Sequence, residues 1–287
     1  MNHGRIILNA DDYALSPGVS QAIRMLAAGE RISSTSAIVT RPGWKSEAAA
    51  LKPLRARIAT GLHLNLTLGA PLGGADHLTR NGTLPRVTAL IAAAYAGRLN
   101  IAAVRAEISR QLDAFEAGTC TPPDFIDGHE HVHVLPVIRP ALLEILQGRY
   151  AGKRLLVRDP SPAVVAPRLK SLALRFFARN MRRDVEQAGF ICNDAFGGVT
   201  RFGATIDAVT RDFTAAAEID GWRPLVMCHP GFTDPELVRL DPHTTRRQSE
   251  FDVLMAANSP LALNAWRPHR LDDGSVAWPY SNGERAP

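Results

Sequence analysis

Short apolar runs alternate along this chain with longer stretches of helical period, and the alternation predicts an α/β fold whose parallel sheet is wrapped by helices. Seven strands are expected: Arg5 to Ala10, Thr35 to Thr40, Ile58 to Leu66, Asp124 to His129, Arg154 to Arg158, Phe190 to Asn193 and Leu225 to His229. Helices follow from apolar spacing and from stop signals. Ser16 caps the first and Pro17 opens it, with Val19, Ala22, Ile23 and Leu26 on one face before Gly29. A longer helix carries Ile101, Val104, Ile108, Leu112 and Phe115 and is expected to stop at Gly118; others start near Pro136, Pro162 and Gly203.

Polar residues collect at the C-terminal ends of the predicted strands. Asp11 and Asp12 follow the first, His63 sits late in the third, and His129, Arg158 and His229 close three more. A barrel of parallel strands gathers its functional groups at that one rim, whereas an open doubly wound sheet uses a crevice at a switch point. Groups from non-neighbouring strands favour a TIM-barrel-like (β/α) barrel, seven-stranded or irregular. No Gly-x-Gly-x-x-Gly or phosphate-loop lysine pattern supports a nucleotide site. No linker splits the chain, so residues 1–287 are expected to form one domain. The turn-rich stretch 68–85 is expected to be a loop over the rim.

Composition narrows the class. With 46% hydrophobic and 21% charged residues, a chain of 287 residues holds a core without a disulfide scaffold. Cys120, Cys192 and Cys228 are odd in number and suit a reducing compartment. The apolar stretch Ile6-Ile7-Leu8 is too short for a signal-peptide core, and no run approaches the roughly 18 residues of a membrane span. The formal charge of +5 is scattered, and the arginines from Arg175 to Arg183 read as a solvated helix face. The expectation is a cytoplasmic protein with no nucleic-acid or membrane partner; a homodimer is compatible with this reading.

Candidate chemistry is concentrated at the rim. His129, His131 and His133 lie within Asp127-Gly128-His129-Glu130-His131-Val132-His133. An extended chain puts all three on one face, and a helix puts His129 beside His133; either can offer imidazoles to one metal ion. Adjacent Asp11 and Asp12 repel one another unless a cation stabilises them, and both reach the site only if the chain turns after them. His63, Asn65 and Thr67 alternate with leucines and should face the interior. His229, in Cys228-His229-Pro230-Gly231, can serve as a general acid. Arg158 can pair with Asp11, hold a substrate oxygen or make a surface salt bridge.

Asn9-Ala10-Asp11-Asp12, Gly61-Leu62-His63, the Asp127 to His133 run and His229-Pro230-Gly231 together resemble the YdjC-like carbohydrate deacetylases. Arg247-x-x-Glu250-x-x-x-Leu254 resembles that family's C-terminal signature, so the likeness runs from about residue 5 to residue 255. Tyr13-Ala14 stands where many relatives have Phe-Gly, and Glu130 where a histidine or glutamine is common. The resemblance implies a barrel-like fold and one divalent metal ion held by Asp12, His63 and His129. It also implies removal of an acetyl group from an N-acetylated mono- or oligosaccharide, with Asp11 as base and His229 as acid. Tyr13, Asn65, Asp127, His131, His133 and Arg158 are expected to contact substrate or to support the ligands. By ligand type the ion is Zn²⁺, Co²⁺ or Mn²⁺, or Mg²⁺ in a shell completed by waters. Two alternatives are a metal-dependent phosphoesterase on a similar barrel and a noncatalytic sugar-binding protein.

Overall fold

A computed structural model describes residues 5–74, 78, 79, 81–163, 169–199, 203–241 and 244–279, and in it strand and helix take turns along the chain. The first half comprises β1 (Ile7–Tyr13), α1 (Pro17–Ala28), β2 (Ser34–Ala37), α2 (Trp44–Leu51), β3 (Ala59–Leu64), α3 (Val87–Tyr95), α4 (Ile101–Thr119), β4 (Phe125–Gly128) and α5 (Ile138–Tyr150). The second comprises β5 (Leu156–Val157), α6 (Leu169–Phe177), α7 (Met181–Gln187), β6 (Ile191–Cys192), β7 (Ala195–Gly197), α8 (Ile206–Ala217), β8 (Pro224–Cys228), α9 (Pro235–Leu240), α10 (Thr244–Met255) and α11 (Pro260–Leu263). The helix expected from Pro162 begins at Leu169, and residues 164–168 lie outside the described residues.

The described strands form one all-parallel sheet in the order β6-β5-β4-β3-β2-β1-β8-β7. Eight strands replace the seven expected from the sequence. Each predicted run holds one, and β7 is the addition. It arises because Asn193 and Asp194 interrupt the run with side chains that take up backbone bonds. Asn193 bonds the N–H of Asp159 at 2.7 Å and the carbonyls of Asp159 and Ala195 at 2.8 and 3.0 Å; Asp194 accepts from the N–H groups of Trp222 and Arg223 at 2.7 and 2.9 Å. The chain thereby passes from β6, paired with β5, to β7, paired with β8. Cys192 and Ala195 are three Cα steps apart, which limits the gap between the two sheet edges to about 11 Å. The sheet must therefore curl on itself.

Period-two alternation then sorts side chains between the faces of the curl. Ile7, Ala59, Phe125, Leu156, Phe196 and Leu225 belong to one apolar cluster, whereas Ile6, Leu8, Leu62, Ile126, Val157 and Val226 belong to the larger one under the helices. Trp266, Val276 and Trp278 join the first cluster, and Trp278 is completely buried, stacked on Trp266 at 5.6 Å. The chain after α11 thus closes the base of the sheet. Two residues further along the inner parity lie Asn9, Gly61, Asp127, Arg158 and Met227, and beyond them Asp11, His63 and His229. Inside the curl, an apolar floor carries a polar rim.

Two details set the helices. Ser16 accepts from the Val19 N–H at 3.4 Å with Pro17 in the first turn, as the sequence predicts. Gly118, by contrast, does not stop α4, which continues to Thr119 and ends on Cys120 in a left-handed conformation. Gly118 serves packing instead: a Cβ there would sit 2.9 Å from the Trp44 ring and from the Ala48 Cβ on α2. Gly118→Val is therefore expected to lose about 2 kcal/mol of stability through overpacking, measured as a lower urea midpoint with an unchanged slope.

The described residues of the stretch 68–85 form no helix or strand. The Leu84 N–H meets the Gly69 carbonyl at 2.8 Å, and the buried Glu107 of α4 accepts from the N–H groups of Leu72 at 3.0 Å and Gly73 at 3.3 Å. Residues 75–77 and 80 of this loop lie outside the described residues.

Candidate active site

A bulge in β1 decides the geometry of the rim. Its pairing with β2 slips between Ala10 and Tyr13, and Asp12 takes a left-handed φ of 71°, a conformation that aspartate tolerates better than most residues. Two consecutive carboxylates therefore turn to the same side, both 2% exposed. Tyr13 turns the other way. Its hydroxyl donates to the Glu47 carbonyl at 2.9 Å and accepts from Arg24 at 3.2 Å, so it lies beneath the helices rather than at the site.

Asp12 faces His63 and His129. Its Oδ1 lies 2.9 Å from His129 Nδ1 and 3.3 Å from His63 Nε2, and its Oδ2 accepts from Arg247 at 2.6 Å. Ligand atoms of Asp12, His63 and His129 all fall within 4.8 Å of one another, a group that could hold a metal ion. Register supplies its support: His63 on β3 pairs with Asp127 on β4, and Nδ1 donates to Asp127 Oδ1 at 2.6 Å. That bond fixes the tautomer and leaves Nε2 toward Asp12, the arrangement by which a carboxylate orients a metal-binding imidazole. A second grouping, Asp11, His63 and Asp127, has the same spacing, but Arg158 already sits against both of its carboxylates.

Arg158 is fully buried and clamps Asp11 in two places, at 2.8 Å and 2.6 Å, while also pairing with Asp127. Of the three roles open to it from sequence, it takes the pairing with Asp11. Ser36 and Asn9 complete the polar layer. Ser36 donates to Asp127 at 2.9 Å and Asn9 to Asp11 at 2.6 Å. His229 stands across the cavity with 37% of its side chain exposed, its Nε2 4.0 Å from Asp11 Oδ2. Its backbone N–H donates to Glu250 Oε2 at 2.5 Å.

Electrostatics follow from this packing. Burial pushes the Asp11 and Asp12 carboxyls up, but the guanidiniums of Arg158 and Arg247, with the neighbouring imidazoles, hold both well below the usual carboxylate range. Burial pulls His63 down, yet Asp127, Asp12 and Asp11 raise it to about 10. Three carboxylates thus face two guanidiniums, and the remaining negative charge is what holds a proton on His63, whose place a divalent cation can take. The Asp12, His63 and His129 donor set fits a divalent ion on both charge and ligand type.

The histidine run resolves into three different places. After Gly128 the chain passes through left-handed Glu130 and His131, at φ 50° and 59°, so it is neither the extended chain nor the helix weighed from sequence. His129 alone joins the metal-type group. His131 meets the ring of Phe196 edge-on at 5.8 Å, on the cavity wall. His133 is buried, with Nε2 donating to the Arg158 carbonyl at 3.0 Å, where it braces the strand end that carries the arginine. Asn65 also stays out of the cavity: its side chain gathers the N–H groups of Thr67 and Leu68 and the Leu68 carbonyl, shaping the turn after β3. Arg247 and Glu250 had no assigned role in the sequence reading. They stood there only as part of the Arg247-x-x-Glu250-x-x-x-Leu254 signature, and the packing of α10 against the rim is what gives them one.

The cavity above these groups measures about 600 Å³ and is lined by Asp11, Asp12, His63, His129, His229 and Glu250, with apolar side chains opposite. A family model described as YdjC-like protein matches residues 5–264. The chain belongs to the YdjC-like family. It is similar to a chitooligosaccharide deacetylase of Proteus mirabilis (strain HI4320), 30% identical over 259 residues that cover 90% of this chain and 93% of that protein. It is also 30% identical to a carbohydrate deacetylase of Mus musculus, over 79% of this chain and 78% of that one. Among solved structures, a protein of Enterococcus faecalis V583 proposed to cleave cellobiose phosphate superposes with a TM-score of 0.69 at 19% identity, covering 92% of this chain and 97% of that one. That likeness shows the fold this YdjC-like chain shares.

His133 makes the support of the site sensitive to acid. Burial holds its imidazole down at about 4, below the 6.5 of a free one, so the unfolded chain binds a proton that the folded chain refuses. Stability is full above about pH 6.5 and falls as pH drops toward 4, by about 3 kcal/mol in all. His133→Gln keeps a donor for the Arg158 carbonyl and removes the titration. Thermal unfolding from pH 7 to pH 5 should therefore shift its midpoint less than that of the wild type.

Proposed function

We propose that this chain is a metal-dependent hydrolase that removes the acetyl group from an N-acetylated mono- or oligosaccharide. The observation that carries the reading is a buried Asp12, His63 and His129 donor group at the floor of an open cavity, with Asp11 and His229 to either side. Relatives named as carbohydrate deacetylases support the substrate class. A divalent ion, Zn²⁺, Mg²⁺, Co²⁺ or Mn²⁺, bound by those three residues would supply Lewis-acid polarisation of the amide carbonyl and acidification of water.

The chain's own groups divide the remaining work. Asp11, kept ionised by Arg158, orients the attacking water and accepts its proton as the new C–O bond forms; an anion so stabilised is a weak base in the ground state. His229, on the open side, donates a proton to the nitrogen as the C–N bond breaks, leaving acetate and a free amine. Glu250 holds the His229 backbone in place, and Arg247 restrains the outer oxygen of Asp12. The phosphoesterase alternative wants free cationic groups for the phosphate. Arg158, Arg246 and Arg247 are each tied up by carboxylates.

Protein stripped of metal and resupplied with each of the four ions is expected to release acetate from at least one member of a panel of N-acetylated sugars. Silence with every ion and sugar would remove the reading. Asp11→Asn should lower kcat by about 10² to 10⁴. Asp127→Asn should weaken metal binding by about 10- to 100-fold, measured by titrating the metal-free protein, because the carboxylate that orients His63 is lost.

A further inference from the structure

Two helices beside the cavity mouth expose apolar side chains to solvent. α3 has no charged residue; Val87 and Ile91 line the cavity, while Ala89, Ala92 and Tyr95 are exposed. On α6, Leu174 is buried and Ala173 and Phe177 line the cavity, yet Leu172 and Phe176 are 52% and 48% exposed on the remaining side. A contiguous patch of exposed large apolar side chains ordinarily marks a surface that something covers. Tyr95 stacks on Phe176 at 5.9 Å and packs on Phe177 at 5.6 Å, which joins the two helices into one surface.

Arginines ring that surface. Exposed Arg86 and Arg98 flank α3, and residues 171–183 carry exposed Arg175, Arg179, Arg182 and Arg183 with no acidic residue among them. Arg179 lies over the Phe176 ring at 4.6 Å. Asp184 and Glu186, the next acids along the chain, are paired with Arg183 and Arg182. An aromatic and aliphatic plateau with a basic collar is the pattern of an element that lies in a membrane interface, its rings among acyl chains and its arginines on phosphate.

We propose that α3 and α6 dock this protein on an anionic lipid bilayer, with the cavity mouth at the membrane surface. This departs from the absence of a membrane partner expected from sequence. It concerns a peripheral contact, since no described helix is long and apolar enough to cross a membrane. A second copy is the less suitable occupant, because a two-fold contact through this patch sets arginine collar against arginine collar.

The test is flotation with vesicles of phosphatidylcholine alone or with about one-third phosphatidylglycerol, at low and at high salt. Wild-type protein is expected to float at least tenfold more with the anionic vesicles, and less as salt rises. Phe176→Asp, and Leu172→Asp as a second variant in case the first misfolds, should lose at least tenfold. Leu263→Asp, at a site 61% exposed on α11, should bind as the wild type does. Circular dichroism and thermal midpoints confirm that each variant is folded. The proposal is overturned if wild-type protein does not float with anionic vesicles, or if Leu263→Asp loses as much as Phe176→Asp. It is equally overturned if the wild type is a dimer that Phe176→Asp splits, which would make the patch a contact between copies. None of these outcomes bears on acetate release, so this proposal and the deacetylase reading fail separately.

Discussion

Everything at the rim depends on holding three carboxylates, Asp11, Asp12 and Asp127, in a place with almost no water. Unpaired, each would be costly to bury, and together they would repel. Arg158 answers two of them at once, and Arg247 answers the third. These two arginines come from the end of β5 and from α10, so the charge balance ties β1, β4, β5 and α10 to one point. His133, bonded to the Arg158 carbonyl, and Glu250, paired with Arg246, extend that network outward. Loss of any one cation would leave a buried anion unbalanced, which makes the cluster a constraint on the fold as much as a site for chemistry.

The curl of the sheet makes such a cluster affordable. Its inner face begins with Ile7, Phe125, Leu156 and Leu225 and is sealed below by Trp266 and Trp278. Polar residues occupy the same parity one step higher, where neighbouring strands can pair them. His63 and Asp127 meet because they are register partners, not because they are near in sequence. His229 follows Cys228, the register partner of Ala10 on neighbouring β1, and that pairing sets it 4.0 Å from Asp11.

Much of this was legible beforehand, for physical reasons. Strands reveal themselves by apolar runs between turn residues, and every predicted run contains one. The clustering of polar residues at strand ends followed from those runs, since side chains at the mouth of a parallel sheet are the ones that can meet water or ligand. Other features depended on backbone conformations that the residue types only permit. Left-handed turns at Asp12, Glu130 and His131 decided which carboxylates converge and scattered a histidine run that looked like one ligand set. Tyr13 and Asn65 sit beside site residues in sequence, yet one packs under helices and the other shapes a turn.

The sequence by itself determined the order of strands and helices, the rim position of Asp11, Asp12, His63, His129, Arg158 and His229, and the family likeness. Periodicity and local propensity are short-range properties, and a linear chain displays them directly. Only the tertiary structure decided that Arg158 clamps Asp11 and Asp127, that Arg247 and Glu250 reach the rim, that β7 is a separate strand and that α3 and α6 share an exposed apolar face. Each of those depends on groups tens to hundreds of residues apart being brought into contact, and the energy that selects them is burial and charge pairing, which exists only once the chain has closed around them.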